Sequence, residues 1–204
     1  MIEDILQISG LSVDILKQLS YKSQLHTSLK KNLHYFDRDK LIDELSDMVE
    51  WISMQAILED IDLDFRIKSI DSIRLKYERY YPDSQTRKVF NDVLGFRAFC
   101  DDYNDLLKVD SELFKVVDLS NGKASDDGYR GVHLYYQLDN HHYPIEIQYN
   151  TYYDRQINNW LHSFLYKKNY SDSIGQEMRR RYEMGKIKSE NDFKEELEDV
   201  LCHS

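Results

Sequence analysis

The chain has 204 residues, 41% of them hydrophobic, which suffices for one hydrophobic core and predicts one domain. Its formal net charge of −10 argues against a general DNA or RNA coat protein, because binding to a phosphate backbone needs a broadly basic surface. Two distant cysteines and the lack of a long apolar run predict a cytoplasmic protein with no disulfide framework, membrane partner or DNA partner.

The N-terminal part of the chain, residues 1 to about 60, is predicted to be helical. Hydrophobic residues from Ile5 to Ile57 recur there at helical spacing, which is most simply explained by a helical cap over a sheet. The pair Lys30-Lys31 lies within this cap. A basic pair of this kind either contacts an anionic partner or is solvated, and the pattern alone leaves both open.

A strand follows at residues 63–68, where hydrophobic and polar residues alternate and place Arg66 and Lys68 on the open side. Ser69 then caps a predicted helix that carries Lys76. Two cations at the first turn of a helix, whose free N–H groups also favour anions, predict a phosphate cradle. The segment has no glycine-rich loop, so it is not a Walker-type site.

The second strand is predicted from Val89 to Asp101, with Asp92 near its start. Asp92 is either a metal ligand or a turn residue. In an ideal strand Asp92 and Arg97 point to opposite faces, so both reach one site only if a bulge intervenes, for example at Gly95.

After a third strand at 113–119, strict alternation on both sides of a turn at 139–142 predicts a β-hairpin. The open face of this hairpin carries side chains suited to binding and catalysis, namely Tyr129, His133, Glu146, Gln148 and Asn150. Gly131 leaves a gap among them for a ligand or another backbone. Such a face is typical of a functional site, and equally of the solvated side of an antiparallel sheet.

Five motifs in this order resemble the synthetase domain of the RelA/SpoT family over roughly residues 63 to 168. They are Arg66-x-Lys68-Ser69, Asp92-x-x-Gly95-x-Arg97, Gly128-Tyr129-Arg130-x-x-His133, Glu146-Ile147-Gln148-x-x-Thr151 and Trp160-x-His162. The resemblance implies an α+β fold with a nucleotidyltransferase-like mixed sheet of about five strands, flanked by N-terminal and C-terminal helices. It further implies a single synthetase domain over 1–204, with C-terminal helices at about 172–204 and no hydrolase domain.

The activity that the resemblance implies is a pyrophosphokinase, which moves the β,γ-pyrophosphate of ATP to a ribose 3′-hydroxyl and releases AMP. The residues that would bind ATP are Arg66, Lys68, Ser69, Lys76, Arg97 and Lys123. Asp92 and Glu146 would bind Mg²⁺, and Glu146 would also accept the proton of the attacking hydroxyl. The acceptor would be held by Tyr129, stacked on its base, and by His133, Gln148, Asn150, Lys30 and Lys31.

Two departures from the family pattern bear on the acceptor. Gly131-Val132-His133 stands where (p)ppGpp synthetases carry Ser-Leu-His, and Asn150 stands where they carry an arginine. The missing arginine weakens the case for a free GDP or GTP acceptor, because one phosphate contact is lost. The pattern is more similar to the toxic branch of small synthetases, some of which pyrophosphorylate the tRNA CCA end and are paired with antitoxins.

The first hypothesis is therefore a toxin that modifies tRNA 3′ ends, halts translation and has an antitoxin protein as partner. The alternatives are an enzyme that makes (p)ppGpp from GDP or GTP, an adenosine alarmone synthetase, and an inactive nucleotide-binding module. The presence of both Asp92 and Glu146 argues against the inactive module.

Overall fold

Five β-strands form one sheet in the computed structural model, which describes residues 2–168 and 170–202. They are β1 (Asp64–Ile67), β2 (Leu94–Phe99), β3 (Phe114–Asp118), β4 (Val132–Tyr136) and β5 (Ile145–Asn150), in the spatial order β1-β2-β5-β4-β3. β1 and β2 are antiparallel. β2 and β5 run in the same direction, because Gly95 lies beside Glu146 and the Cys100 N–H donates to the Asn150 carbonyl at 3.1 Å. The sheet is therefore mixed, which confirms the predicted α+β fold and the predicted hairpin.

Helices precede, interrupt and follow the sheet. They are α1 (Ile2–Ile8), α2 (Val13–Gln18), α3 (Arg38–Ser53), α4 (Ile70–Tyr80), α5 (Thr86–Val89), α6 (Tyr152–Phe164), α7 (Asp172–Glu183) and α8 (Glu190–Cys202). The C-terminal helices predicted at about 172–204 are confirmed as far as residue 202, while residues 203 and 204 lie outside the described residues. Over the described ranges, no helix combines the length and hydrophobicity that crossing a membrane requires.

The prediction of a helical cap over 1–60 is wrong for the segment 19–32, which contains no helix. Its backbone pairs instead with other parts of the chain: Lys22 forms a β-bridge with His142, and the Leu29 N–H donates to the Asn140 carbonyl at 2.8 Å. Hydrophobic spacing does not reveal such pairing, because the partner lies more than a hundred residues away. The segment carries Lys30 and Lys31 along the turn of the hairpin.

The second strand is shorter than predicted, because residues 86–89 form α5 and residues 90–93 form a turn before β2 begins at Leu94. The pairing of β1 with β2 is regular from Asp64 opposite Arg97 to Ile67 opposite Leu94, so the bulge considered at Gly95 does not exist. Asp92 lies in the turn, where the alternation of a strand does not apply. The apparent conflict between Asp92 and Arg97 is thereby removed.

The described chain divides into two compact units. Unit 1 comprises residues 2–98, 104–117 and 133–148, and unit 2 comprises 99–103, 118–132, 149–168 and 170–202. The core of unit 1 contains apolar side chains of α3 and α4, such as Leu45 and Ile73, and of the sheet, such as Phe96, Leu134 and Ile147. Whether the whole chain acts as one synthetase domain stays a prediction.

The core of unit 2 is built by its three helices. Its buried side chains are Ile157, Leu161, Leu165, Ile174, Met178, Tyr182, Ile187, Phe193, Leu197 and Val200. All of them except Leu165 and Ile187, which lie just outside the helices, recur at helical spacing along α6, α7 and α8, so each helix turns one apolar face inward. This core supports the segment 118–132, which carries Tyr129.

Candidate active site

The first part of the site is a set of cations where β1 leads into α4. Arg66 lies on β1 and is exposed, whereas Lys68 is buried just after the strand. Ser69 is the N-cap of α4, and its hydroxyl accepts a hydrogen bond from the Ser72 N–H at 3.3 Å. The Ser69 side chain is therefore engaged in starting the helix that carries Lys76.

Asp92 lies between two of the predicted ATP-binding lysines. Its carboxylate accepts hydrogen bonds from Lys68 Nζ at 2.5 Å and from Lys76 Nζ at 2.9 Å. Burial lowers the pKa of the Lys68 ammonium, against the attraction of Asp92, and the nearby cations Lys76 and Arg66 add to the lowering. The Asp92 carboxylate thus holds the ammonium groups of Lys68 and Lys76 close together, where both can contact an anionic ligand.

Glu146 lies on β5 with only 6% of its surface exposed. Oε1 accepts a hydrogen bond from the Tyr135 hydroxyl at 2.8 Å and lies 3.1 Å from His133 Nδ1, while Oε2 accepts from Gln148 Nε2 at 2.7 Å. Burial opposes ionisation of Glu146, but the adjacent imidazole of His133 and the hydrogen bonds from Tyr135 and Gln148 outweigh it and hold the pKa of this carboxyl below its usual range. Glu146 is therefore ionised at neutral pH.

These groups line one cavity of unit 1, with a volume of about 60 Å³. Its lining comprises Arg66, Lys68, Asp92, Gly95, Phe96, Arg97, Glu146 and Gln148. It has room for about two water molecules, so it suits an ion or the oxygens of one phosphate group rather than a whole nucleotide. A Cβ atom on Gly95 would lie 3.4 Å from Glu146 Oε2, so glycine keeps the approach to this carboxylate open.

The fit of this cavity to Mg²⁺ depends on its two carboxylates. Within 2–168 and 170–202, no group of three or more His, Cys, Asp or Glu side chains is placed to hold a metal ion. Asp92 and Glu146 nevertheless line the same cavity, and carboxylate oxygens are the ligands that Mg²⁺ prefers. Magnesium bound to nucleotides usually takes only one or two carboxylates and completes its shell with phosphate oxygens and water, so the residues fit this ion.

The two basic residues predicted in the cap do not line this cavity. Lys30 lines a second, larger cavity of unit 1, and Lys31 Nζ lies 5.1 Å from the centre of the Tyr35 ring. His133 does not line the cavity, but its Nδ1 lies 3.1 Å from Oε1 of Glu146, which does. The structure thus brings Arg66, Lys68, Arg97 and Gln148 together with the two carboxylates and places Lys30 and Lys31 elsewhere in unit 1.

The remaining predicted site residues belong to unit 2. Lys123 Nζ lies 5.3 Å from the centre of the Tyr129 ring and pairs with Asp127 at 2.5 Å. Asn150, predicted to bind the acceptor, is only 1% exposed, and its amide donates to the Arg130 carbonyl at 2.7 Å. The Asn150 side chain therefore holds the backbone next to Tyr129 in place.

The gap predicted at Gly131 is filled. A Cβ atom there would lie 2.5 Å from Asn150 Nδ2 and 2.9 Å from the Tyr129 hydroxyl oxygen. It would also lie 3.1 Å from the Tyr149 carbonyl oxygen, so of the two predicted occupants the space at Gly131 receives another backbone, together with two side chains of unit 2, rather than a ligand.

The sequence patterns described above do not predict two residues that support the candidate site groups, Tyr135 in unit 1 and Arg179 in unit 2. Tyr135 is two residues from His133 on β4, so both side chains point to the same face of the sheet. The alternation that predicts His133 on the open face therefore predicts Tyr135 there as well. Arg179 belongs to the basic run 179–181, a pattern typical of a solvated surface, yet it is buried and donates to the Gly128 carbonyl at 2.8 Å, to Asp154 at 2.7 Å and to Asn158 at 3.1 Å. No local pattern distinguishes Arg179 from its exposed neighbour Arg180.

The family model described as "Region found in RelA / SpoT proteins" matches residues 65–171 of the chain. No match was found among curated protein sequences. Solved structures similar to the chain include small alarmone synthetase 1 from Bacillus subtilis bound to its product pppGpp, with 20% identity and a TM-score of 0.44 over 81% of this chain and 93% of that one.

Two further solved structures are similar at the same level. Small alarmone synthetase 2 from Bacillus subtilis shows 19% identity and a TM-score of 0.43, over 83% of this chain and 100% of its own. A GTP pyrophosphokinase family protein from Streptococcus pneumoniae shows 21% identity and a TM-score of 0.39, over 80% and 89%.

The family match confirms the resemblance that the five motifs indicate, over nearly the same residues. It covers more than half of the chain and includes every residue that lines the cavity of Asp92 and Glu146. The chain therefore belongs to the RelA/SpoT family and is an enzyme of the pyrophosphokinase type.

Proposed function

We propose that this enzyme transfers the β,γ-pyrophosphate of ATP to the 3′-hydroxyl of the terminal adenosine of the tRNA CCA end. A tRNA blocked at this hydroxyl cannot be aminoacylated, so the enzyme would act as a translation-inhibiting toxin in the cytoplasm, with an antitoxin protein as its partner. The observation that carries the transfer reaction is the cavity in which the ionised Glu146 lies with Asp92 and the cations Arg66, Lys68 and Arg97.

The donor side of the reaction needs cations, because the triphosphate of ATP carries several negative charges. Arg66, Lys68 and Arg97 line the cavity, and Lys76 joins them through Asp92. The first turn of α4, which Ser69 caps, adds N–H groups that favour an anion. We assign the triphosphate to these groups.

The chemical step is a displacement at the β-phosphorus of ATP. The 3′-oxygen of the acceptor forms a bond to that phosphorus, the bond from it to the oxygen shared with the α-phosphate breaks, and AMP leaves with that oxygen. The proton of the 3′-hydroxyl passes to the carboxylate of Glu146. A carboxylate with a lowered pKa is a weak base, which suits a loose transition state in which the nucleophile carries little charge until late.

Mg²⁺ would be held by Asp92 and Glu146 and by phosphate oxygens, and when bound it would neutralise negative charge on the transferred group. Tyr135 and Gln148 would keep Glu146 ionised and oriented toward its substrates. Their hydrogen bonds to opposite carboxylate oxygens fix the plane of this group.

The choice of tRNA as acceptor rests on the sequence pattern and on the surroundings of Asn150. The family arginine at this position would supply a phosphate contact for a free nucleotide, whereas Asn150 is buried and bonded to the Arg130 backbone. A polymeric acceptor depends less on such a contact, because its other phosphates bind elsewhere on the protein. Stacking of the acceptor base on Tyr129 stays a prediction.

The decisive experiment incubates the purified protein with Mg²⁺ and γ-³²P-ATP, with deacylated tRNA in one tube and GDP or GTP in another. We expect label on tRNA, and none on tRNA whose terminal ribose has been oxidised with periodate. Label on the guanosine nucleotide alone would instead make the chain a (p)ppGpp synthetase. Label on neither acceptor would refute transfer to both of them.

The toxin role is tested separately in cells. Induced expression of the chain should arrest growth and protein synthesis, and co-expression of the antitoxin should restore both. Normal growth during expression of an enzyme that labels tRNA in vitro would contradict this part of the proposal.

A further inference from the structure

We infer that the second cavity of unit 1 binds the backbone phosphates of the RNA nucleotides on the 5′ side of the modified adenosine. This inference rests on the proposed function and extends it from the reacting group to the polymer. The cavity has a volume of about 590 Å³, which is in the range of sites that hold small organic ligands. It lies on unit 1, beside the sheet.

Four cations line this cavity, contributed by three different parts of unit 1. They are Lys30 in the segment before α3, Arg87 and Lys88 on α5, and Lys115 on β3. Two carboxylates also line it, Glu112 and Asp139. In a chain with a net charge of −10, this local excess of positive charge favours an anionic ligand.

The cations of the cavity are available for a ligand. Among the residues that the structure describes, none of the four forms an ion pair, whereas Lys68, Lys76 and Lys108 each pair with an aspartate. In the part of the chain that the structure describes, the guanidinium of Arg87 donates only to the neutral amide oxygens of Gln85 and Gln137, each at 3.4 Å.

The two carboxylates that line the cavity, Glu112 and Asp139, repel a bound anion only weakly. The Asp139 carboxylate already accepts hydrogen bonds from its own turn, one from the His141 N–H at 2.7 Å and one involving His142 Nδ1 at 2.8 Å. These bonds lower the pKa of Asp139 against the effect of burial and tie its charge to the turn. Glu112 is exposed and free to turn toward solvent.

Tyr135 connects this cavity with the catalytic carboxylate. It lines the cavity, and its hydroxyl donates to Glu146 Oε1 at 2.8 Å. On the other side, Asn91 lines the cavity while the next residue, Asp92, lines the cavity of Glu146. An acceptor whose 3′-hydroxyl lies at Glu146 can therefore extend its preceding nucleotides along the cations of this cavity.

The segment that carries Lys30 is held in place by a buried carboxylate. Glu44 Oε2 accepts from the Gln24 and Leu25 N–H groups at 2.6 and 3.1 Å, and Oε1 accepts from the Ser23 and Tyr143 hydroxyls at 2.8 and 2.7 Å. Further on, the Arg87 N–H donates to the Leu29 carbonyl at 2.9 Å. The backbone that carries Lys30 is therefore fixed beside the cavity, so no backbone entropy is lost when its side chain binds a phosphate.

The test measures RNA binding without ATP, so that it does not depend on turnover. A fluorescent single-stranded RNA ending in CCA is titrated with the wild-type protein and with the double variant Lys88→Ala/Lys115→Ala. We expect the variant to bind on the order of tenfold more weakly at 0.1 M salt, and the slope of log K against log salt to fall by about 1.4. The matched control is Lys17→Ala/Lys108→Ala, which removes two exposed lysines that are paired with aspartates in unit 1. Binding of ATP should not change in either variant.

Equal affinity of the wild-type protein and the cavity variant for the RNA would overturn the assignment, even if tRNA is labelled in the transfer assay. An equal loss in the control variant would overturn it as well. Conversely, weaker binding in the cavity variant alone, together with no transfer to tRNA, would refute the proposed acceptor and uphold the RNA site. GTP that displaces the RNA and loses the same affinity in the cavity variant would assign the cavity to the phosphates of a free nucleotide instead.

Discussion

Replacement of Glu44 by glutamine tests how strongly one buried carboxylate organises the segment 19–32. Glutamine has the same shape but offers one oxygen in place of two. The N–H groups of Gln24 and Leu25 are fixed donors, whereas the hydroxyls of Ser23 and Tyr143 can rotate and accept. We therefore expect the new amide to face the hydroxyls and its oxygen to face the backbone.

The expected cost follows from the change in hydrogen-bond type. Bonds to a charged group contribute about 1.5–3 kcal/mol each and neutral ones about 0.5–1.5 kcal/mol, so converting four of them lowers the free energy of unfolding by about 4–6 kcal/mol. The global effect is measured by urea titration. The local effect is measured by hydrogen exchange, in which the amides of Gln24 and Leu25 should lose protection first.

Glu50→Gln is the matched control, because Glu50 is exposed on the same helix. It should change the free energy of unfolding by less than about 0.5 kcal/mol. A Glu44→Gln variant that is as stable as this control, or that keeps the exchange protection of Gln24 and Leu25, would refute the reasoning. Reduced RNA binding in the Glu44→Gln variant would be expected as well, since the segment carries Lys30.

Three further results are expected. Glu146→Gln should lower kcat by about 10²- to 10⁴-fold while calorimetry without Mg²⁺ shows nearly unchanged ATP affinity, and substantial residual turnover would remove Glu146 from the role of base. Tyr135→Phe removes a hydrogen bond that lowers the pKa of Glu146, so the acid limb of the pH profile of kcat should move to higher pH; an unmoved limb would show that the hydroxyl does not control this carboxylate. Arg179→Met should cost about 3–5 kcal/mol of stability in urea titration, because it leaves Asp154 buried without its cation, whereas Arg180→Met should have little effect; similar losses in both would contradict this role.

The sequence predicts those parts of the site that depend on local alternation. Glu146 and Gln148 share a face of β5 because side chains two apart in a strand point the same way, and both line the predicted site. The same rule puts Arg66 on the open side of β1, and the strand pairing, which alternation does not predict, sets it opposite Gly95 beside Glu146. The order of the five motifs then identifies the family, which no single strand could do.

The parts that the sequence does not predict depend on long-range contacts. The sequence pattern extends the second strand over Asp92 and predicts its orientation by alternation, but Asp92 lies in the turn before β2, where side chains do not alternate. Arg179 is buried because it hydrogen-bonds to Gly128 and Asp154, which lie 51 and 25 residues away in the chain. Asn150 is buried because its amide donates to the carbonyl of Arg130. A buried polar side chain is recognised by its partners, and these are known only once the chain is folded.

The pKa of Glu146 links the fold to the chemistry. A buried carboxyl without partners would stay protonated near neutral pH and could neither accept a proton nor bind a metal ion. The hydrogen bonds of Tyr135 and Gln148, together with the imidazole of His133, keep it charged in spite of burial. Because Tyr135 also lines the cavity of unpaired lysines, an RNA that enters this cavity lies against the residue that sets the charge of the proposed base. Binding of the polymer and activation of its 3′-hydroxyl would then be coupled through one tyrosine, which a free nucleotide too short to reach the cavity would not exploit.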